Sequence, residues 1–228
     1  MLNTAEAARF LRVSQASIRR WADSGRLPVS RVGGRRERRF KESDLVAFLD
    51  RSPAQTEGAV NVGGAHVSAP GHVACFYSTD EGGLRLSIPF LAEGVRRGQP
   101  SILVAGEPLV ARYTAALNLR PGDEFTAMSF AGGTAVMAIA EWEQRLSELV
   151  AGGATMIRIV GEMSSEREMF DSEEEMLRYE EAFDLMSRRY PVIVICQYDA
   201  RAFTGVTLVR ALKAHPDLFD LRLGSFLN

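Results

Sequence analysis

Read as hydrophobic and polar positions, the chain changes period at two places. Over residues 1–51 the apolar positions follow helical spacing. Ala7, Ala8, Phe10 and Leu11 fall on one side of a helix that Thr4 can cap, and Ile18, Trp21 and Ala22 on one side of a second that Ser14 can cap and Gly25 can end. The connection between them, LRVS, is short enough that the two helices must cross, which is helix-turn-helix geometry. The stretch RLPVSRVGGRRERRF then offers two β-compatible segments around Gly33-Gly34, a hairpin whose turn needs positive φ and which would form a wing. A third helix is predicted from about Glu42, with Leu45, Val46, Phe48 and Leu49 closing a small core.

The period is lost over residues 52–71, which hold four Gly, two Pro, one charged residue and no aromatic. Such a segment buries too little to order itself, so a flexible linker with ends roughly 25 Å apart is predicted. From residue 72 to 228 apolar runs such as HVACFY, SILVAG, EFTAMSF, TMIRIVGEM and PVIVICQYD alternate with amphipathic stretches, and a last strand is predicted at LRLGSFL. Continuous apolar strands separated by helices imply a mostly parallel sheet covered on both faces, an α/β domain.

Composition adds little until it is divided. With 46% hydrophobic, 25% charged and 8% aromatic residues the chain is ordinary and globular. No apolar run is long enough to span a bilayer and no charged-then-apolar leader follows Met1, so neither membrane insertion nor export is expected, and the cytoplasm is the expected location. The two cysteines, Cys75 and Cys196, sit inside apolar runs and fit a reducing compartment. Up to Ser52 there are twelve basic residues against six acidic ones, a net of +6; the remainder nets −8. A basic head on an acidic body suits a polyanion partner for the first domain only.

The head carries the residues for such a partner. A helix enters the major groove and a wing reaches phosphates or the minor groove. Gln15, Ser17, Arg19 and Arg20 occupy the faces of the second helix that Ile18 and Trp21 leave open, and Arg19 has the planar fork that binds guanine bidentately. Ser14 and Ser17 stand at the helix start, where hydroxyls and free amides suit phosphate oxygens. Arg31, Arg35, Arg36, Arg38 and Arg39 surround the glycine turn and would position the duplex, while Trp21 is expected mainly in the core with its indole nitrogen within reach of phosphate. The pieces TAEAARFLRVSQASIRRW, DSGRLP and RRF…SDLVAFL resemble the winged helix-turn-helix of the excisionase and MerR-like superfamily, in its short BldC-type form. The resemblance implies double-stranded DNA recognition through Ser17 to Trp21. The long dimerisation helix of full-length MerR regulators is not present after this module.

In the body, GHVACFYSTDEGGLRLSIPFLAEGVRRGQPSILVAGEP, IRIVGEM and VIVICQYDARAF…VRALKAHP resemble the MEDS sensory domain of DcmR-type regulators. This implies a three-layer fold like a degenerate RecA or KaiC domain and a small hydrocarbon-type effector. A phosphate loop would need GxxxxGK[ST] after the first strand; YSTDEGGLRLS has no lysine and places Asp80 and Glu81 where phosphates would sit, so nucleotide hydrolysis is not expected. GDEF at Gly122 to Phe125 reads as a turn entering a strand. A pocket in an open parallel sheet lies beyond the carboxyl ends of its strands, which makes Tyr77, Ser78, Thr79, Glu107, Glu162, Tyr198 and Asp199 the ligand-site candidates, beside Gly106 and Gly161. His72, Cys75, Cys196 and His215 are zinc-type ligands, but without a tight spacing the cysteines are read as small core residues and no metal site is expected. Nine acids between Glu162 and Glu181 are partly helix chemistry, with Ser172 and Glu175 as a capping box, and could also dock on the basic head.

Together these features predict a one-component transcription regulator, not an enzyme, whose winged head binds duplex DNA and whose α/β domain senses a small molecule of unassigned identity and makes a homo-oligomer. An excisionase-like DNA bender and a RecA-like nucleotide-binding protein are the competing readings.

Overall fold

The computed structural model describes residues 1–11, 15–23, 27–32, 37–50, 59–129, 133–215 and 217. The chain divides into two units, residues 1–55 and 56–228. In the first, α1 (Thr4–Leu11) and α2 (Gln15–Asp23) are followed by strands β1 (Ser30–Val32) and β2 (Glu37–Arg39), paired antiparallel, and by α3 (Glu42–Asp50). Helix α1 is capped one residue earlier than the pattern suggests. Glu6 N donates to Asn3 Oδ1 at 2.9 Å and Asn3 N donates back to Glu6 Oε2 at 2.7 Å, a reciprocal box that Thr4 cannot make because Ala7 stands three residues on. Ala7, Ala8, Leu11, Ile18, Ala22, Leu27, Phe40 and Leu45 form the core, with Trp21 packed on Phe48 at a ring separation of 4.9 Å. Phe10 and Val46, expected in this core, face outward. Leu2 and Phe40 exchange backbone hydrogen bonds and tie the start of the chain to the end of the wing.

The second unit opens with a correction. Over Ala59–Val62 (β3) and Ala65–Ser68 (β4) the expected linker is an antiparallel hairpin, and Gly71 already begins the next strand. Counting Gly and Pro hides a period of two: Val60, Val62, Ala65 and Val67 point one way into the main core, while Asn61 and His66 point to solvent. The two-residue turn needs positive φ at both positions, which Gly63 and Gly64 supply at 56° and 86°.

Five parallel strands make the main sheet, in the order β5-β9-β8-β6-β7. They are β5 (Gly71–Tyr77), β6 (Ser101–Val104), β7 (Phe125–Met128), β8 (Ile157–Glu162) and β9 (Val192–Asp199). The connections carry α4 (Asp80–Arg96), α5 (Glu107–Leu117), α6 (Ala135–Ala151), the short α7 (Met163–Glu166), α8 (Glu173–Ser187) and finally α9 (Gly205–Ala214). Strands β5, β9, β8 and β6 are buried along nearly their whole length because helices cover both faces. Helix α4 lies on one face, where Gln197 meets Gly83, and α8 on the other, where the next residue, Tyr198, meets Glu180. This is the predicted α/β class. Gly122 sits in a turn at φ 92° and β7 begins at Phe125, so GDEF is a turn entering a strand. The strand predicted at LRLGSFL falls outside the described residues.

Candidate functional site

Two places in the chain carry unusual chemistry. In the first unit, Gln15 and Arg19 lie one turn apart on the exposed side of α2, with Arg19 Nη2 donating to Gln15 Oε1 at 3.4 Å. The wing's register sets Arg31 directly opposite Arg38, so two guanidinium groups share one face of a two-stranded ribbon. Arg39 faces the other way and pairs with Glu37 at 2.8 Å. Ser14, Arg35 and Arg36 lie outside the described residues, and of Ser17 and Arg20 only the backbone is described. Trp21 is half-buried in the core, as its apolar spacing requires.

In the second unit a cavity of about 120 Å³ opens at the carboxyl ends of the strands. Tyr77, Gly83, Leu84, Leu109, Tyr113 and Gln197 supply its walls, and Asp80, Arg112, Glu162, Ser164, Asp199 and Arg201 its polar side. Of the candidates drawn from strand ends, Tyr77, Glu162 and Asp199 come together here. Ser78, Thr79 and Glu107 do not line it: Ser78 and Glu107 are exposed, and Thr79 is spent as the cap of α4, accepting from Gly82 N. Tyr198 belongs to the opposite face, where its hydroxyl donates to Glu180 Oε2 at 3.0 Å; consecutive strand residues point to opposite sides.

The walls hold a hydrogen-bond chain. Tyr113 OH donates to Gln197 Oε1 at 2.6 Å, Gln197 Nε2 donates to Gly83 O, and Ser87 Oγ lies 2.7 Å from the Tyr113 oxygen. Ser87 Oγ also donates to Gly83 O at 2.9 Å, so Ser87 and Gln197 converge on the Gly83 carbonyl. Gly83 lies so close to the Tyr77 ring that an added Cβ would meet it at 3.1–3.3 Å. Burial, and then the charge of Glu162, push the Tyr77 hydroxyl far up, and burial does the same to Tyr113, so both phenols stay protonated donors. Glu162 is fully engaged. It accepts from Tyr77 OH at 2.9 Å, from Ser165 N at 2.8 Å and Ser165 Oγ at 2.7 Å, and from Ser164, thereby capping α7.

The start of α4, where a phosphate would bind a phosphate-loop protein, is occupied by the protein's own acid. Asp80 stands in its first turn and accepts from Arg201 at 2.7 Å; that bond and the Arg201 charge hold its carboxyl below the usual range. Asp199 is held low in the same way by Arg201.

Two further expectations change. The acidic tract offers less free charge for docking on the basic head: Glu162, Glu166 and Glu180 are buried, and Glu173 and Glu174 are bound by Thr207 and Arg210 of α9. Ser172 caps α8 by accepting from Glu175 N, but the Glu175 carboxylate reaches Ala135 N instead of closing the box. His72, Cys196 and His215 are also not separate core residues: with Glu180 they bring four metal-type donor atoms within 4.8 Å of one another. Cys75 stays a buried residue on the other face of β5. Glu180, Tyr113, Gln197, Ser87 and Arg201 were absent from the sequence-based site. A polar residue inside an apolar run, as Gln197 is in VIVICQYD, was the one local signal available for any of them.

Comparison with known proteins follows this division. Residues 71–216 match the family described as MEDS, the methanogen/methylotroph DcmR sensory domain, and residues 1–53 match a helix-turn-helix domain family. The transcriptional repressor DcmR of Methylorubrum extorquens (strain DSM 6343 / CIP 106787 / DM4) is 34% identical over 246 aligned positions that cover 98% of this chain and 92% of that protein. Among solved structures, a KaiC-like protein from Pyrococcus horikoshii OT3 superimposes with a TM-score of 0.46 and 14% identity over 64% of this chain and 69% of its own. Among the described residues, no helix is long and apolar enough to cross a membrane.

Proposed function

The chain belongs to the MEDS family of DcmR-type sensory proteins and carries a helix-turn-helix domain ahead of the sensory one; from that premise we propose that it is a repressor whose hold on duplex DNA is set by a small molecule. The observation that carries this reading is similarity to a repressor along nearly the whole of both chains, head and body in the same order. Gln15 and Arg19 read base edges, Arg31 and Arg38 clamp phosphate, and Ser14, Ser17, Arg20, Trp21, Arg35, Arg36 and Arg39 complete the interface. The effector lies in the strand-end cavity. At about 120 Å³ it admits only a few heavy atoms, well below the roughly 300–1,000 Å³ of a drug-sized site. Two protonated phenols and the Gln197 amide give it polar handles, and Leu84 and Leu109 an apolar wall.

One winged head buries little surface, so specific binding calls for two copies. Exposed Val136, Leu185, Val206 and Val209 on the helices of one side of the sheet suit a homo-oligomer contact. The cytoplasm is the location such a regulator requires.

The test is fluorescence anisotropy of the full-length chain on labelled duplexes from the DNA flanking its own gene, across a salt series, with mass spectrometry of small molecules that co-purify. Affinity should fall linearly with salt on logarithmic axes, and a co-purifying molecule added back should shift it. Binding to no fragment at low salt would end the repressor reading. Equal affinity with and without the molecule would end the sensory one.

A further inference from the structure

Four side chains distant in sequence converge under the sheet face that α8 and α9 cover: His72 of β5, Glu180 of α8, Cys196 of β9 and His215 at the end of α9. All four are buried. His72 Nε2 lies 3.2 Å from Cys196 Sγ and 3.8 Å from Glu180 Oε2; Glu180 Oε2 lies 3.0 Å from His215 Nε2, and Glu180 Oε1 3.7 Å from Cys196 Sγ. A tetrahedral zinc ion, with bonds of about 2.0–2.3 Å, spaces its ligands roughly 3.3–3.8 Å apart. Three donor pairs, and the second Glu180 oxygen with Cys196, lie near that spacing, and all the donors lie within 4.8 Å of one another.

Accounting for the imidazole protons points the same way. His215 Nδ1 is 2.7 Å from the carbonyl of Ala211, a contact only an N–H can make, so in the neutral ring Nε2 carries a lone pair. That lone pair faces the Glu180 carboxylate, and Nε2 has no hydrogen bond although it is fully buried. At His72 the roles are exchanged: Nε2 lies within hydrogen-bond range of Cys196 Sγ, while Nδ1, 3.5 Å from an Asp184 carboxylate oxygen, makes no hydrogen bond. A carboxylate or backbone carbonyl behind the second nitrogen is how metal-ligating histidines are oriented, and Tyr198 OH steadies Glu180 as a similar outer partner. Two nitrogens, a sulfur and a carboxylate suit zinc over magnesium or calcium, and four protein donors leave no open position.

We propose that His72, Glu180, Cys196 and His215 bind one zinc ion as a closed structural site that fastens α8 and the end of α9 to β5 and β9. It is separate from the strand-end cavity, because Cys196 and Gln197 point to opposite faces of β9. The competing arrangement, a protonated His215 paired with Glu180 and no metal, is the alternative outcome of the test.

The full-length chain, purified under reductant without a metal-affinity tag, is loaded with zinc, dialysed against metal-free buffer and analysed by mass spectrometry. About one zinc per chain should remain, and added zinc should raise the melting temperature of metal-stripped protein. Loading with cobalt(II) instead should give the visible bands of a tetrahedral site and a near-ultraviolet thiolate band that Cys196→Ser abolishes and Cys75→Ser keeps. Well under one ion retained with an unmoved melting temperature overturns the proposal. So does a thiolate band that survives Cys196→Ser. Should Cys196→Ser fail to fold, the wild-type stoichiometry and melting shift decide alone.

Discussion

The two units handle charge in opposite ways. The reading head turns arginines outward: Arg19 and Arg31 are exposed, and Arg38 stands across from Arg31 on the same face. The sensory unit turns charge inward, burying Arg158, Glu162, Glu166, Glu180, His72 and His215. An outward charge costs little, whereas an inward one costs several kcal/mol unless its surroundings answer it. Arg158 shows the answer required. Burial pulls its guanidinium down to about 10, yet Nη1 donates to Phe90 O at 2.9 Å, Nε donates to Gln99 Oε1 at 2.8 Å, and the group lies over the Phe90 ring. Charge in the head thus reports on what the protein meets; charge in the body reports on how it is built.

Replacing an inward charge should produce the largest effect. Glu162→Ala strands the Tyr77 hydroxyl and the amides of Ser164 and Ser165, and should cost roughly 3 kcal/mol or more, read as a lower urea midpoint. In the head the effect should fall on binding alone. Arg31→Ala with Arg38→Ala should weaken DNA binding about tenfold or more and flatten the salt slope by about 2, while the melting temperature holds. A melting temperature that fell with the affinity would show those arginines to be structural.

Glu166 gives a pH-dependent version of the contrast. Burial, with Glu180 and Glu162 nearby, pushes its carboxyl well up. The folded protein then keeps its proton to higher pH than the unfolded chain does, so its contribution is full below the ordinary carboxylate pKa of about 4.3 and is lost as pH rises through the raised value. Glu166→Gln should therefore melt about 2–4 °C above wild type at pH 8, with the gap closing toward pH 4. The smallest change is in the hairpin: Gly64→Ala, at φ 86° with open space around the new Cβ, should cost about 1 kcal/mol. A flexible linker would show no loss.

Much of this was legible without coordinates. In α6, α8, β5 and β9, where a period of 3.6 or a long apolar run exists, the element lies where the pattern places it. The hairpin at Ala59–Ser68 was readable in its alternation but masked by its glycines. The candidate site was legible only as a location. Strand ends pointed to the cavity through Tyr77, Glu162 and Asp199, but its working polar chain passes through Ser87, Tyr113 and Gln197, from two helices and a strand interior.

Sequence alone determined the alternation of strands and helices from β5 onward, the basic head ahead of an α/β body and the absence of a phosphate-loop motif, because periodicity, capping and charge are local properties of a chain. Tertiary structure alone decided which acids turn inward and that His72 meets Cys196 across 124 positions. The reason is physical: parallel strands join through crossovers, so β5 and β9 become neighbours only after the whole sheet is wound, and no spacing in the chain records which side chains that winding brings together.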